Sequence, residues 1–111
     1  MMHREERKIY FSNQELFKAL AFFCETTNLN FPFDDKAKLS FHNETELIAT
    51  LCDPDQSDVT REFLESEIAV ALILLCKKLY IPIARKAEKS VEVLQDNVVL
   101  IMRISSENAA I

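Results

Sequence analysis

The chain has 111 residues, 49% of them hydrophobic and 28% charged, with a net charge of −5 at pH 7. That is ordinary usage for one globular domain over residues 1–111, and the acidic balance argues against a general attraction to nucleic acid or anionic lipid. Glycine is absent, which excludes glycine-rich phosphate loops and dinucleotide fingerprints and leaves positive-φ positions to Asn or Asp.

In chain order, Met1 to Lys8 is charged and no apolar stretch with a small-residue cleavage site follows, so no signal peptide is expected and His3 is placed in a mobile start. Ser12, Asn13, Gln14 and Glu15 read as a capping box, in which the Ser12 hydroxyl accepts from the Glu15 amide and the Glu15 carboxylate reaches back. Leu16, Ala19, Leu20 and Phe23 then recur at helical spacing to about Thr27. Asn28 and Asn30 end the helix and Pro32 prevents its resumption.

Leu39 to His42 and Glu46 to Leu51 read as a hairpin about a turn at Asn43 and Glu44. Cys52 to Thr60, with Pro54 and three aspartates, reads as a linker. A second helix is expected from about Leu64 to Leu79, with Thr60 or Ser66 as its N-cap and Pro82 as its stop. Val91 to Leu94 and Val98 to Ile104 form a second hairpin about Gln95, Asp96 and Asn97, and the residues after Ile104 read as a frayed tail.

The two helix–hairpin stretches resemble each other. At an offset of 52 residues Phe11/Phe63, Glu15/Glu67, Ala19/Ala71, Leu20/Leu72 and Cys24/Cys76 are identical. After a change of two residues in length, Pro32/Pro82, Lys36/Lys86, Ala37/Ala87 and Ser40/Ser90 follow in the same order. Two amphipathic helices can match by chance, but the ordered matches beyond them point to duplication. The expected fold is therefore α+β, an internally duplicated helix–β-hairpin unit in the order αββαββ. Repeat one covers about 11–52, the linker 53–60, repeat two about 61–104 and the tail 105–111. Its four strands would make one antiparallel sheet with both helices on one face.

Apolar side chains exceed what that plan hides. Val70, Ile73 and Leu74 lie outside the main stripe of the second helix, Phe17 and Phe22 outside that of the first, and Val98 to Met102 is apolar on both faces. Each such side chain left in water forgoes roughly 1.5–3 kcal/mol. A second protomer is the simplest cover, so a homodimer is expected, with a domain-swapped repeat as one form of it.

Chemistry-bearing residues are sparse. Cys24 and Cys76 sit on apolar helix sides near C-terminal ends, where the dipole disfavours a thiolate, and read as structural. With only His3 and His42, and no paired ligand spacing, no metal or other cofactor is expected. Asp53, Asp55 and Asp58 lack the alternation of a calcium loop. Lys77, Lys78, Arg85, Lys86 and Lys89 bracket Tyr80 to Pro82 and are candidates for anion binding or for an interface. The equivalent loop of the first repeat carries Asp34 and Asp35 instead.

The functional expectation is a protein-interaction or regulatory module, a homodimer or one with a further protein partner. The alternative is a small-anion, phosphate or nucleic-acid binding module using the loop around Arg85, with nucleic acid the weaker ligand because few exposed aromatics are near. An enzyme ranks last, since no nucleophile, base and orienting group can be assembled. Three widely spaced cysteines suggest no disulfide framework, hence a reducing, cytoplasmic setting with no membrane partner.

Overall fold

The computed structural model describes residues 3–56, 58–95 and 97–106. Its elements are β1 (His3–Ser12), α1 (Asn13–Thr26), β2 (Lys38–Asn43), β3 (Leu47–Cys52), β4 (Thr60–Leu64), α2 (Glu65–Lys78), β5 (Glu88–Leu94) and β6 (Asn97–Ser106). Ser57 of the expected linker, Asp96 of the second turn and the tail from residue 107 lie outside the described residues.

Six strands form two separate three-stranded antiparallel sheets, β1-β6-β5 and β2-β3-β4. The α+β class is as expected, but the single four-stranded sheet is not what forms. The αββαββ order lacks two strands. β1 occupies the charged stretch taken for a mobile start, so His3 opens a strand, and β4 runs from Thr60, the last residue of the expected linker, to Leu64, the expected start of the second helix. These two strands explain why the hairpins do not join. β1 pairs with β6 along its whole length, from His3↔Ser106 to Ser12↔Asn97, and β4 takes the free side of β3, with Phe63 opposite Ala49. β3 and β6 then have partners on both sides. Ser105 and Ser106, expected in the tail, belong to β6.

Each half thus runs strand, helix, hairpin, and its first strand completes the sheet of the other half. The helices pack on each other; α1 also touches β1 and β6, while α2 touches β3, β4 and β5. One apolar cluster results, from Phe11, Leu16, Leu20 and Phe23 of the first half through Leu47 and Leu51 to Phe63, Ile68, Leu72, Val91 and Leu100 of the second. Overall the molecule measures 58 × 29 × 20 Å.

The surplus inferred for Val98 to Met102 is hidden within one chain, where all five residues are buried. As the central strand β6 presents Val98 and Leu100 to the helix-side cluster. On the other face Val99 lies between Tyr10 and Glu92, and Ile101 between Lys8 and Ser90. Long side chains cover apolar neighbours with their stems while their heads stay wet. There, Glu6 pairs with Lys8 at 3.6 Å and with Arg103 at 3.3 Å, and Arg103 donates to Ser90 Oγ at 3.2 Å. Neither strand face therefore needs a second protomer.

Helix ends are alike at a fixed offset of 52 residues. The Asn28 and Tyr80 backbones both have φ of 59°. The Leu29 amide donates to Cys24 O at 2.7 Å, and the Ile81 amide to Cys76 O at 2.8 Å. The starts differ. Ser12 forms the full capping box with Glu15, at 3.1 and 2.9 Å. The N-cap of α2 is Leu64, neither Thr60 nor Ser66; Glu67 accepts the Leu64 amide at 3.0 Å, but leucine has no oxygen to return. Ser12→Ala is expected to lower the unfolding free energy by about 1 kcal/mol, and Leu64→Ser to raise it by a similar amount. Tyr80→Asn, which places at the left-handed position a residue whose short polar side chain tolerates it better, should add up to about 1 kcal/mol. Urea denaturation midpoints at unchanged slope measure all three.

Candidate functional site

The expected basic constellation divides. Lys77, Arg85 and Lys89 line one groove of about 340 Å³ at the C-terminal end of α2, together with Ile73, Ile81 and Ile83. Lys89 Nζ is anchored there, donating to Ala87 O at 3.0 Å and to Arg85 O at 3.3 Å. Lys78 turns the other way, its Nζ 4.7 Å from the centre of the Phe22 ring on α1. Lys86 is exposed and outside the groove lining. The groove thus combines an apolar floor with three cations at its rim.

The apolar candidates also divide. Val70 is 46% exposed, whereas Ile73, Leu74, Phe17 and Phe22 are half-buried. Phe17 meets the Phe31 ring edge-on at 5.4 Å, and Phe31 meets Phe33 in the same way. The segment after α1 is folded back on the helix through these rings. Among the described residues the most exposed large apolar side chain is Tyr80, at 92%, next to Leu79 at 51%.

On the first half, Asp35 lines a groove of about 440 Å³ with Asn13, Gln14, Phe17, Lys18, Ala37 and Leu39, between α1 and β2. Asp34 instead holds its own turn, accepting the Lys36 amide at 2.9 Å. His42 is exposed on β2. A further cleft, about 570 Å³, lies at the far end of the β1-β6-β5 sheet between Arg4, Glu5, Glu6, Glu88, Arg103 and Ile104. Its acids and bases lie side by side, which suits a network of surface ion pairs.

Two arginines that the sequence did not single out tie the halves together. Arg7 of β1 donates to Pro82 O at 2.9 Å, and Arg61 of β4 donates to Asn30 O at 3.2 Å. They hold equivalent places, opposite Met102 and Leu51, because the two inter-half ladders differ by two residues: Val99 faces Tyr10, but Ile48 faces Leu64. Arg61 also stacks on Phe63, 4.8 Å from the ring centre. The only sequence signal was the recurrence of an arginine a few residues before each helix.

Burial raises the Cys24 thiol above its ordinary 9.0, against a smaller lowering by Arg61 and with a further push from Glu67. Burial likewise raises Cys76, against a lowering by Arg7. Neutral, buried thiols are poor nucleophiles. All three cysteines are free, and half-buried Cys52 places Sγ 3.5 Å from Asp53 O. Among the described residues no group of three His, Cys, Asp or Glu side chains gathers as a metal site would require, and no helix is long and apolar enough to cross a membrane. Comparison with protein-family models, with curated proteins and with solved structures finds no match to this chain.

Raised thiols make stability pH-dependent in one direction. The folded state holds its thiol protons above the pH at which the unfolded chain releases them, so the stabilisation is complete below the ordinary thiol pKa and is lost as pH rises through the raised values. Stability should fall as pH rises above 9, and Cys24→Ala with Cys76→Ala should flatten that fall in urea titrations. In native protein at pH 8 a thiol reagent should modify Cys52 quickly, and Cys24 and Cys76 only at the rate of unfolding.

Proposed function

We propose that this chain is a protein-interaction module that works as a homodimer, built by duplication of one strand–helix–hairpin unit and working in a reducing compartment. The observation that carries this reading is the separation of the strands into two three-stranded sheets, which leaves β1, β5, β2 and β4 as edges. Sheet edges carry main-chain donors and acceptors that an added strand satisfies, and such pairing is a common mode of protein recognition. Supporting the duplication are the matched helix ends at Asn28 and Tyr80 and the matched arginine bonds to Asn30 and Pro82. Supporting the reducing setting are three unpaired cysteines.

A second reading has one specific observation behind it. Lys77, Arg85 and Lys89 converge on a groove floored by Ile73, Ile81 and Ile83, a combination suited to an anionic group joined to an apolar body. The carboxylates of the cleft between β1, β5 and β6 are interleaved with Arg4 and Arg103, so the anion groove stands as the alternative use of the same module.

Sedimentation velocity across a concentration series, in low and high salt, separates the readings. Self-association predicts a two-chain species whose population grows with concentration. A single-chain species throughout would overturn the homodimer. Titration with inorganic phosphate tests the alternative: Arg85→Glu should abolish any saturable binding while leaving the sedimentation series unchanged.

A further inference from the structure

The two hairpins do not present equivalent outer edges. On β5 the middle of the edge is occupied: Glu65, the first residue of α2, accepts the Val91 amide through Oε2 at 3.4 Å. That amide therefore points away from β6, and by the two-residue period of a strand so do those of Lys89 and Val93. On β2 the corresponding residues are Leu39, Phe41 and Asn43, since Lys38↔Cys52 and Glu88↔Arg103 start equivalent ladders. The residue at the place of Glu65 is Asn13, whose side chain is too short to repeat the contact. It lines the open groove between α1 and β2 instead. The remaining edges are poorer templates. β1 begins with five charged residues among its first six, Arg4 to Lys8, and β4 is only five residues long.

We infer that the open edge of β2 pairs antiparallel with β2 of a second copy, about a two-fold axis at Phe41. This names the surface used by the homodimer proposed above and rests on that reading. Centring on Phe41 uses the outward main-chain groups in register: Phe41 faces Phe41 of the second copy, and Leu39 faces its Asn43. The same register sets charges in order. Lys38, the first residue of β2, falls opposite Glu44 of the second copy, the residue just past the end of its β2, and the pair occurs twice by symmetry. Both side chains are exposed, and neither makes an ion pair among the described residues. A shift of two residues, to an axis at Leu39, sets Lys38 opposite Ser40 of the second copy instead and loses both opposite-charge pairs. The groove of about 440 Å³ beside β2 gives the added strand room for its core-facing side chains. The result is one six-stranded sheet running β4-β3-β2 across the axis.

Charge exchange tests the pairing without touching the core. One variant carries Lys38→Glu and the other Glu44→Lys. Each alone should raise the dimer dissociation constant at low salt by about tenfold or more, and an equimolar mixture should restore a dimer containing one of each. In wild-type protein, hydrogen exchange at the Leu39, Phe41 and Asn43 amides should slow as concentration rises through the dimer transition. If both variants dimerise as tightly as wild type, or those amides stay unprotected in the dimer, association uses another surface; the homodimer then stands and this inference falls. Weakened variants that fail to recover on mixing would overturn the register. A wild-type chain that is monomeric throughout would overturn both.

Discussion

The pairing of β1 with β6 brings the two ends of the described chain side by side, with His3 opposite Ser106, and the rest of the fold depends on it. Without β1, β6 would be a strand with Val99 and Ile101 uncovered on one side, and the β5–β6 hairpin would be an isolated ribbon of marginal stability. With β1 in place, β6 is buried on both faces and Arg7 reaches Pro82 beyond the other helix. β4 does the same for β3 through the shorter ladder that ends at Arg61 and Phe63. The core becomes a single cluster because each sheet contains strands from both halves, so neither half can bury its apolar face alone. The cost is kinetic: these contacts span nearly the whole chain, and closing so large a loop precedes any gain from the ladder.

The two halves agree where packing is dense and differ where water reaches. Cys24 and Cys76, Ala19 and Ala71, and Leu20 and Leu72 are buried at matching positions. The helix exits share a left-handed residue and the same carbonyl closures. Differences collect at caps, loops and edges: Ser12 against Leu64 as N-cap, Asn28 against Tyr80 at positive φ, Asn13 against Glu65 beside the outer strand, and Asp35 against Arg85 in the loop. A core substitution must satisfy every neighbour at once, whereas an exposed one answers only to solvent and to partners. The second half carries the costlier choices, a leucine cap and a tyrosine in a strained turn, and its weaker helix start is offset by the Glu67 carboxylate.

Both helices and both hairpins were legible because their signals are local. The capping box, the helical spacing from Leu16 to Phe23 and the alternation in Leu47 to Leu51 each act over a few residues. β1 was not legible: all six residues from His3 to Lys8 are polar or charged, and a strand partly exposed at an edge needs little apolar alternation. β4 was hidden by its brevity and by the aspartates before it. Missing them inflated the apparent apolar surplus, since strand Val98 to Met102 looked bare without Lys8 and Tyr10 beside it. Of the candidate site residues, Lys77, Arg85 and Lys89 do converge, but nothing local in the sequence separates them from Lys78, which folds over Phe22. The arginine clasps escaped notice because their acceptors are main-chain carbonyls, which leave no trace in residue type.

The inequality of the two outer edges bears on what assembly is possible. If β2 and β5 were equally open, each copy could accept a neighbour at both ends, and pairing β5 of one copy to β2 of the next would propagate without closing. Glu65 occupies one outward amide of β5, that of Val91. In the proposed pairing the contact at β2 would be self-complementary, satisfied by two copies and then closed. Lys38 at the start of β2 and Glu44 after its end would favour that contact because antiparallel pairing reverses the order of charges across the axis. The first residue of α2 would then hinder growth at one sheet while the ends of β2 specify pairing at the other, giving a finite dimer where two open edges would give a fibre.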